Sequence, residues 1–129
     1  MVYDGAHNLP AIENFINSVN MYYKNSKKVF VISILNIKDY KAILKAFLAE
    51  GDSVFIFTDG SSNKSYFPKE ELLNEAQKYS NNSKLLAMSL EDAIELAYRE
   101  YNNYAIFFVG TLCVYNIVTD KIKSLKWIV

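Results

Sequence analysis

Apolar runs that alternate with amphipathic stretches decide what this chain can fold into. Val29–Ile34, Ser53–Thr58 and Tyr104–Val109 are nearly unbroken strings of β-branched and aromatic residues. A strand that is apolar at almost every position has no solvent face, so it must be covered on both sides, as in a parallel sheet. Between these runs the apolar residues recur at helical spacing. Ile12, Phe15, Ile16, Val19, Tyr22 and Tyr23 form one such face, and Tyr40, Ile43, Leu44, Phe47 and Leu48 a second. Leu72, Leu73, Ala76 and Tyr79 form a third, and Leu90, Ala93, Ile94, Ala97 and Tyr101 a fourth. The apolar start before Asp4 and the run Lys84–Met88 supply two shorter strands. The alternation predicts an α/β fold: a three-layer sandwich with a mostly parallel sheet of about five to six strands, helices on both faces and right-handed crossovers. Leu112–Lys123 reads as a last helix and Trp127–Val129 as an added edge strand.

Composition narrows the class. The 129 residues suit a single domain with one good core, residues 1–129. A hydrophobic share of 51% is too high for disorder. The net charge is zero, with lysines interleaved among acids, so no basic surface for nucleic acid is expected. Cys113 is the only cysteine, which rules out an intramolecular disulfide and fits a reducing, cytoplasmic setting. The apolar runs are strand-length, far short of a bilayer crossing, so no membrane partner is expected.

In such a fold the strand-to-helix turns gather along one edge of the sheet, where ligands bind. Here they are residues 4–8, 35–38, 58–62, 88–89 and 110–111. Several chemistries are missing from them. A Walker A loop needs two glycines five apart followed by Lys and Ser or Thr, and Gly5, Gly51, Gly60 and Gly110 do not allow it. One histidine and one cysteine exclude the usual structural zinc site, and no metal ligand set is expected. What remains is Asp4 and His7 around one turn, with Asn8 and Pro10 opening a helix. A carboxylate there can accept both hydroxyls of a ribose, and an imidazole can donate to a phosphate oxygen. The same residues also read as a capping acid and a structural histidine. Lys38 and Asp39 follow the second strand, where Asp39 is either a helix-start acid or a cleft residue. Thr111 follows Gly110 at a strand end, either capping a helix or holding an anion. Tyr3 and Tyr66 are the aromatics that do not sit at core spacing.

Asp4-Gly5-Ala6-His7-Asn8 resembles the Asp-Gly-Ala-His-Asn-Pro motif that opens the C-terminal domain of folylpolyglutamate synthase and dihydrofolate synthase, folate-pathway members of the Mur ligase superfamily. Leu35-Asn36-Ile37-Lys38-Asp39-Tyr40 is similar to the family's Leu-x-Asp-Lys-Asp-Tyr segment. Ser89–Ala97 is similar to its penultimate helix, and Gly110-Thr111-Leu112 to its Gly-Ser-Leu-Tyr. The segments agree in order over nearly the whole chain. The departures are Leu9 for proline, Ile37 for the first aspartate, Thr111 for serine and Cys113 for tyrosine.

The resemblance implies a Rossmann-like domain of an enzyme that uses ATP and Mg2+ to phosphorylate a carboxylate of folate or dihydropteroate. L-Glutamate then attacks the acyl phosphate. By position, Asp4, His7 and Asn8 would be nucleotide-side residues, with His7 near the reacting centre. Lys38, Asp39 and Thr111 would line the glutamate side. The phosphate loop, the magnesium ligands and the folate pocket belong to the family's N-terminal ATPase domain, which is expected to be the missing partner. The chain alone is therefore expected to bind no cofactor and to be inactive. Two rival readings stand beside this one: a receiver-like signalling domain with Asp59 as phosphoacceptor, and a stand-alone nucleotide-binding protein of the same fold.

Overall fold

The computed structural model describes residues 2–4, 8–35, 39–49, 51–60, 66–80, 82–110 and 115–126. In chain order the elements are β1 (Val2–Asp4), α1 (Leu9–Tyr22), β2 (Lys28–Ile32), α2 (Tyr40–Leu48), β3 (Val54–Phe57), α3 (Lys69–Gln77), β4 (Lys84–Ala87), α4 (Leu90–Glu100), β5 (Ala105–Val109) and α5 (Tyr115–Ser124). The sheet has five strands in the order β1-β5-β2-β3-β4, and every pairing is parallel. The α/β sandwich expected from the alternation is present. The expected edge strand at Trp127–Val129 lies outside the described residues.

Parity within each strand divides the core in two, because successive side chains point to opposite faces. Phe30 and Ile32 of β2, Phe55 and Phe57 of β3, and Phe107 and Val109 of β5 pack under α1, α2 and α3. Val29, Val31, Val54, Ile56, Ile106 and Phe108 pack on the other face, against α4 and Val118 of α5. Handedness dictates this division. The chain moves one way across the sheet from β1 to β4, so α1 to α3 share a face. The return from β4 to β5 reverses direction, and a right-handed crossover then places α4 on the opposite face.

The first face is aromatic and centred on Phe30. Its ring stacks on Phe55 and on Phe107 at 5.2 Å each, and Phe15 meets it edge-on at 6.3 Å. Such arrangements add about 0.5–1.5 kcal/mol per pair beyond simple area burial.

Local signals start the helices. The Asn8 side chain accepts a hydrogen bond from the Ala11 N–H at 3.0 Å, and Pro10 sits in the first turn of α1. The Ser89 hydroxyl accepts from the Asp92 N–H at 3.1 Å at the start of α4. At the far end of α2, Gly51 takes φ +61°, the left-handed conformation that ends many helices.

Among the described residues Glu75 in α3 is the one buried acid, at 7% exposed. The Tyr79 hydroxyl donates to it at 2.5 Å and the Lys78 ammonium at 3.1 Å. These bonds hold its carboxyl below the ordinary value of 4.5, the Tyr79 bond contributing most, and they raise the Tyr79 hydroxyl. A carboxyl lowered in the folded state adds stability that is complete above 4.5 and is lost as pH falls below it. Acid titration of the melting temperature should therefore fall more steeply below pH 4.5 in the parent than in Glu75→Gln. Parallel curves would contradict the assignment.

Candidate functional site

The site is set by where neighbouring strands send their chains. Asp4 of β1 and Ile32 of β2 both lie in register with Val109 of β5, so these three strands end level. The Ser33 N–H donates to the Val109 carbonyl at 3.1 Å and keeps β2 and β5 together past the last ladder pair. From that line β1 and β2 feed α1 and α2 on one face, while β5 feeds α5 on the other. Opposite exits on adjacent strands open a crevice, and β5 has such a neighbour on both sides. In the sequence, the six candidate nucleotide- and glutamate-side residues stand at or just after the ends of β1, β2 and β5.

Asp4 closes β1 and sits on this line by register. Asn8 caps α1 with its side-chain oxygen, so its amide nitrogen is the atom left to reach a ligand. Asp39 stands at the N-cap position of α2, yet its side chain makes no cap hydrogen bond. Its φ −94° and ψ 15° depart from the extended conformation in which a capping side chain reaches back to the helix. The carboxylate is therefore exposed at the edge rather than spent on the helix. His7, Lys38 and Thr111 lie outside the described residues. The opening turns differ in charge as well. α1 has no acid in its first turn, whereas α3 has Glu70 and Glu71 and α4 has Glu91 and Asp92. The positive end of the α1 dipole is thus unopposed by acids of its own first turn.

The turn after β3 has a different task. The Asp59 carboxylate accepts from the Lys69 backbone N–H at 2.6 Å and from the Lys69 ammonium at 2.9 Å, so it caps α3 from a distance of ten residues. Partial burial opposes its ionisation, but the Lys69 bonds outweigh burial and hold the carboxyl below its usual range. Gly60 takes φ +67°, and a Cβ there would come within 2.7 Å of the Tyr66 ring. Tyr66 pairs with Leu35 in an antiparallel bridge, and the Phe67 N–H donates to the Ile34 carbonyl at 2.9 Å. This return across the end of β2 gives no sequence signal beyond Tyr66 standing off core spacing.

The geometry corrects the receiver-like reading. That fold places the first and third strands side by side, in the order 2-1-3-4-5. Here β5 and β2 separate β1 from β3, so Asp4 and Asp59 cannot share one acidic pocket. Sequence reasoning also missed a buried hydroxyl pair: Ser33 Oγ and Thr58 Oγ1 lie 2.6 Å apart, 5% and 0% exposed. Each hydroxyl residue directly follows its strand, and the register of β2 with β3 brings the two to the same level of the sheet. Thr58 Oγ1 also accepts from the Gly60 N–H at 3.2 Å, tying the β3 turn to the end of β2. Among the described residues no group of three or more His, Cys, Asp or Glu side chains is placed to hold a metal ion. No described helix is long and apolar enough to cross a membrane.

A family model described as dihydrofolate synthetase, C-terminal domain, matches residues 1–118. The fold is similar to Mycobacterium tuberculosis folylpolyglutamate synthase complexed with ADP and AMPPCP, with TM-score 0.75 and 20% identity over 98% of this chain and 29% of that one. It is also similar to E. coli FolC in complex with DHPP and ADP, with TM-score 0.73 and 20% identity over 95% of this chain and 28% of that one. Thermotoga maritima folylpolyglutamate synthase matches with TM-score 0.69 and 22% identity over 95% and 28% of the two chains. The chain thus spans under a third of the solved chains it matches. No curated protein sequence matches it.

Proposed function

We propose, from the premise that this chain belongs to the dihydrofolate synthetase C-terminal domain family, that it forms one wall of the active cleft of an ATP-dependent folate–glutamate ligase. The observation that supports the proposal is the switch at β5, where β1, β5 and β2 end level at one edge of the sheet; the candidate residues Asp4, His7 and Asn8, Lys38 and Asp39, and Thr111 follow these strand ends in the sequence. Two of the similar solved structures hold adenine nucleotides, which supports a nucleotide on one side of that cleft.

In this reading the N-terminal domain of the ligase holds the triphosphate and magnesium. A carboxylate oxygen of folate or dihydropteroate takes the γ-phosphoryl group, and the bond from that phosphorus to the ADP oxygen breaks. The amino nitrogen of L-glutamate then attacks the acyl carbon. The carbon–oxygen bond to phosphate breaks, phosphate leaves with the electron pair, and the nitrogen gives up a proton. On this wall the Asp4 carboxylate accepts ribose hydroxyls. The His7 imidazole donates to phosphate oxygens as charge builds on them, and Asn8 steadies the turn through its cap on α1. Lys38, Asp39 and the Thr111 hydroxyl orient the incoming glutamate, where Lys38 pairs with a carboxylate and Asp39 faces the ammonium end.

One wall does not make a site. The purified chain with ATP, folate and glutamate should release phosphate only at the rate of a protein-free control. Sustained release would contradict the division of labour. Tight ATP binding by the chain alone would favour the stand-alone binder instead.

A further inference from the structure

At the opposite edge of the sheet, where the helices return to the strands, two open cavities adjoin. One of about 360 Å3 lies between the end of α1 and the turn before β3, lined in part by Asn20, Lys24, Asn25 and Ser26. The other, of about 250 Å3, lies under Asn82, Lys84 and Tyr104. Lys27, Lys28, Asp52 and Ser53 line both, so the two form one trough.

Its charge is predominantly positive. Four lysines, Lys24, Lys27, Lys28 and Lys84, face a single acid, Asp52, in a chain whose net charge is zero. Among the described residues the ion pairs use Lys69, Lys78, Arg99 and Lys121, and none uses these four. Two of the ammonium groups are already held in place. Lys28 Nζ donates to the Ser26 carbonyl at 3.1 Å, and Lys27 Nζ stands 5.7 Å from the centre of the Tyr104 ring. Held cations lose less freedom on meeting an anion than mobile ones, and a concave surface dominated by one sign focuses its field.

We infer that this trough is a binding site for a multivalent oxyanion, a small molecule carrying several phosphate or carboxylate groups. A single charge would engage only part of the trough, whereas linked anionic groups meet the lysines of both cavities together. The side chains of Asn20, Asn25, Ser26 and Asn82 along the walls supply neutral donors between the charges, while the Ser53 hydroxyl is committed to the Gly51 carbonyl. A purely structural explanation is available and makes different predictions: the lysines would only offset the negative carbonyl ends of nearby helices.

The test is calorimetric titration of the whole chain with tripolyphosphate and, separately, with citrate, at constant ionic strength. The expected result is saturable binding of at least one of them, and the stronger of the two tells phosphate from carboxylate sources. The double variant Lys27→Gln/Lys28→Gln should weaken binding about tenfold, from two exposed charge pairs. Asp52→Asn should strengthen it, and Asn accepts the φ of 49° found at that position. Lys123→Gln, on α5, should leave it unchanged. Absence of saturation with both probes overturns the inference. So does equal affinity of the double variant and the parent, or equal weakening by Lys123→Gln.

Discussion

Replacing His7 with alanine in a full-length ligase carrying this domain is expected to lower turnover by about 10²–10³-fold, the range found when one preorganised donor to a developing charge is removed. The domain itself should stay folded, with the melting temperature of the isolated chain unchanged. The expectation follows from position. His7 lies between Asp4, which ends β1 on the line shared with β5 and β2, and Asn8, which fixes the start of α1. Both flanking positions are anchored at the edge where the proposed crevice opens. His7→Asn keeps a donor and should recover part of the rate. If His7→Ala instead unfolds the chain, the histidine serves the fold and the catalytic assignment fails.

The second large effect is on stability. Phe30→Ala should cost about 3–5 kcal/mol, the usual range for a buried aromatic truncated to alanine. Phe30 is 2% exposed and contacts the rings of Phe15, Phe47, Phe55 and Phe107. Its loss therefore opens a cavity at the point where β2, β3 and β5 meet α1 and α2. Domains of this size have about 5–15 kcal/mol in total, so the variant should lose a large fraction of its stability. Urea denaturation measures the effect, and Phe30→Leu, which keeps most of the apolar volume but removes the ring contacts, serves as the milder companion and should cost less than the alanine variant. A loss below about 1 kcal/mol for the alanine variant would show that the aromatic cluster is not the centre of the core.

Those two residues differ in how they could be read from the sequence. Phe30 announces itself, because an apolar run with no polar alternation has to be buried on both faces. The same logic placed β2, β3 and β5, while helical spacing placed the faces of α1 to α4. Strand order did not follow from pattern, since pairing is a long-range choice that no local period encodes. It is the order β1-β5-β2-β3-β4 that separates Asp59 from Asp4 and removes the receiver-like reading. Asp39 shows a finer limit. Its place before a helix suggests capping, and only its backbone angles reveal that the carboxylate is not used that way. The Ser33–Thr58 pair was hidden for a similar reason, because its two members come together only when β2 and β3 align. The oxyanion trough is the extreme case. Its lysines are scattered from Lys24 to Lys84 and read as ordinary solvated charges until the turns converge.

The two sides of the crevice are proposed to serve different substrates, Asp4 the nucleotide and Lys38 the glutamate. The most direct measurement is a steady-state comparison of Asp4→Asn and Lys38→Met in the full-length ligase, varying ATP and glutamate in turn. Loss of a hydrogen bond to a charged group is worth about 1.5–3 kcal/mol, so each variant should raise one KM by at least about tenfold. Asp4→Asn should raise the KM for ATP and leave that for glutamate, and Lys38→Met should do the reverse. A rise in the same KM for both variants, or no rise in the KM for ATP with Asp4→Asn, would contradict the account.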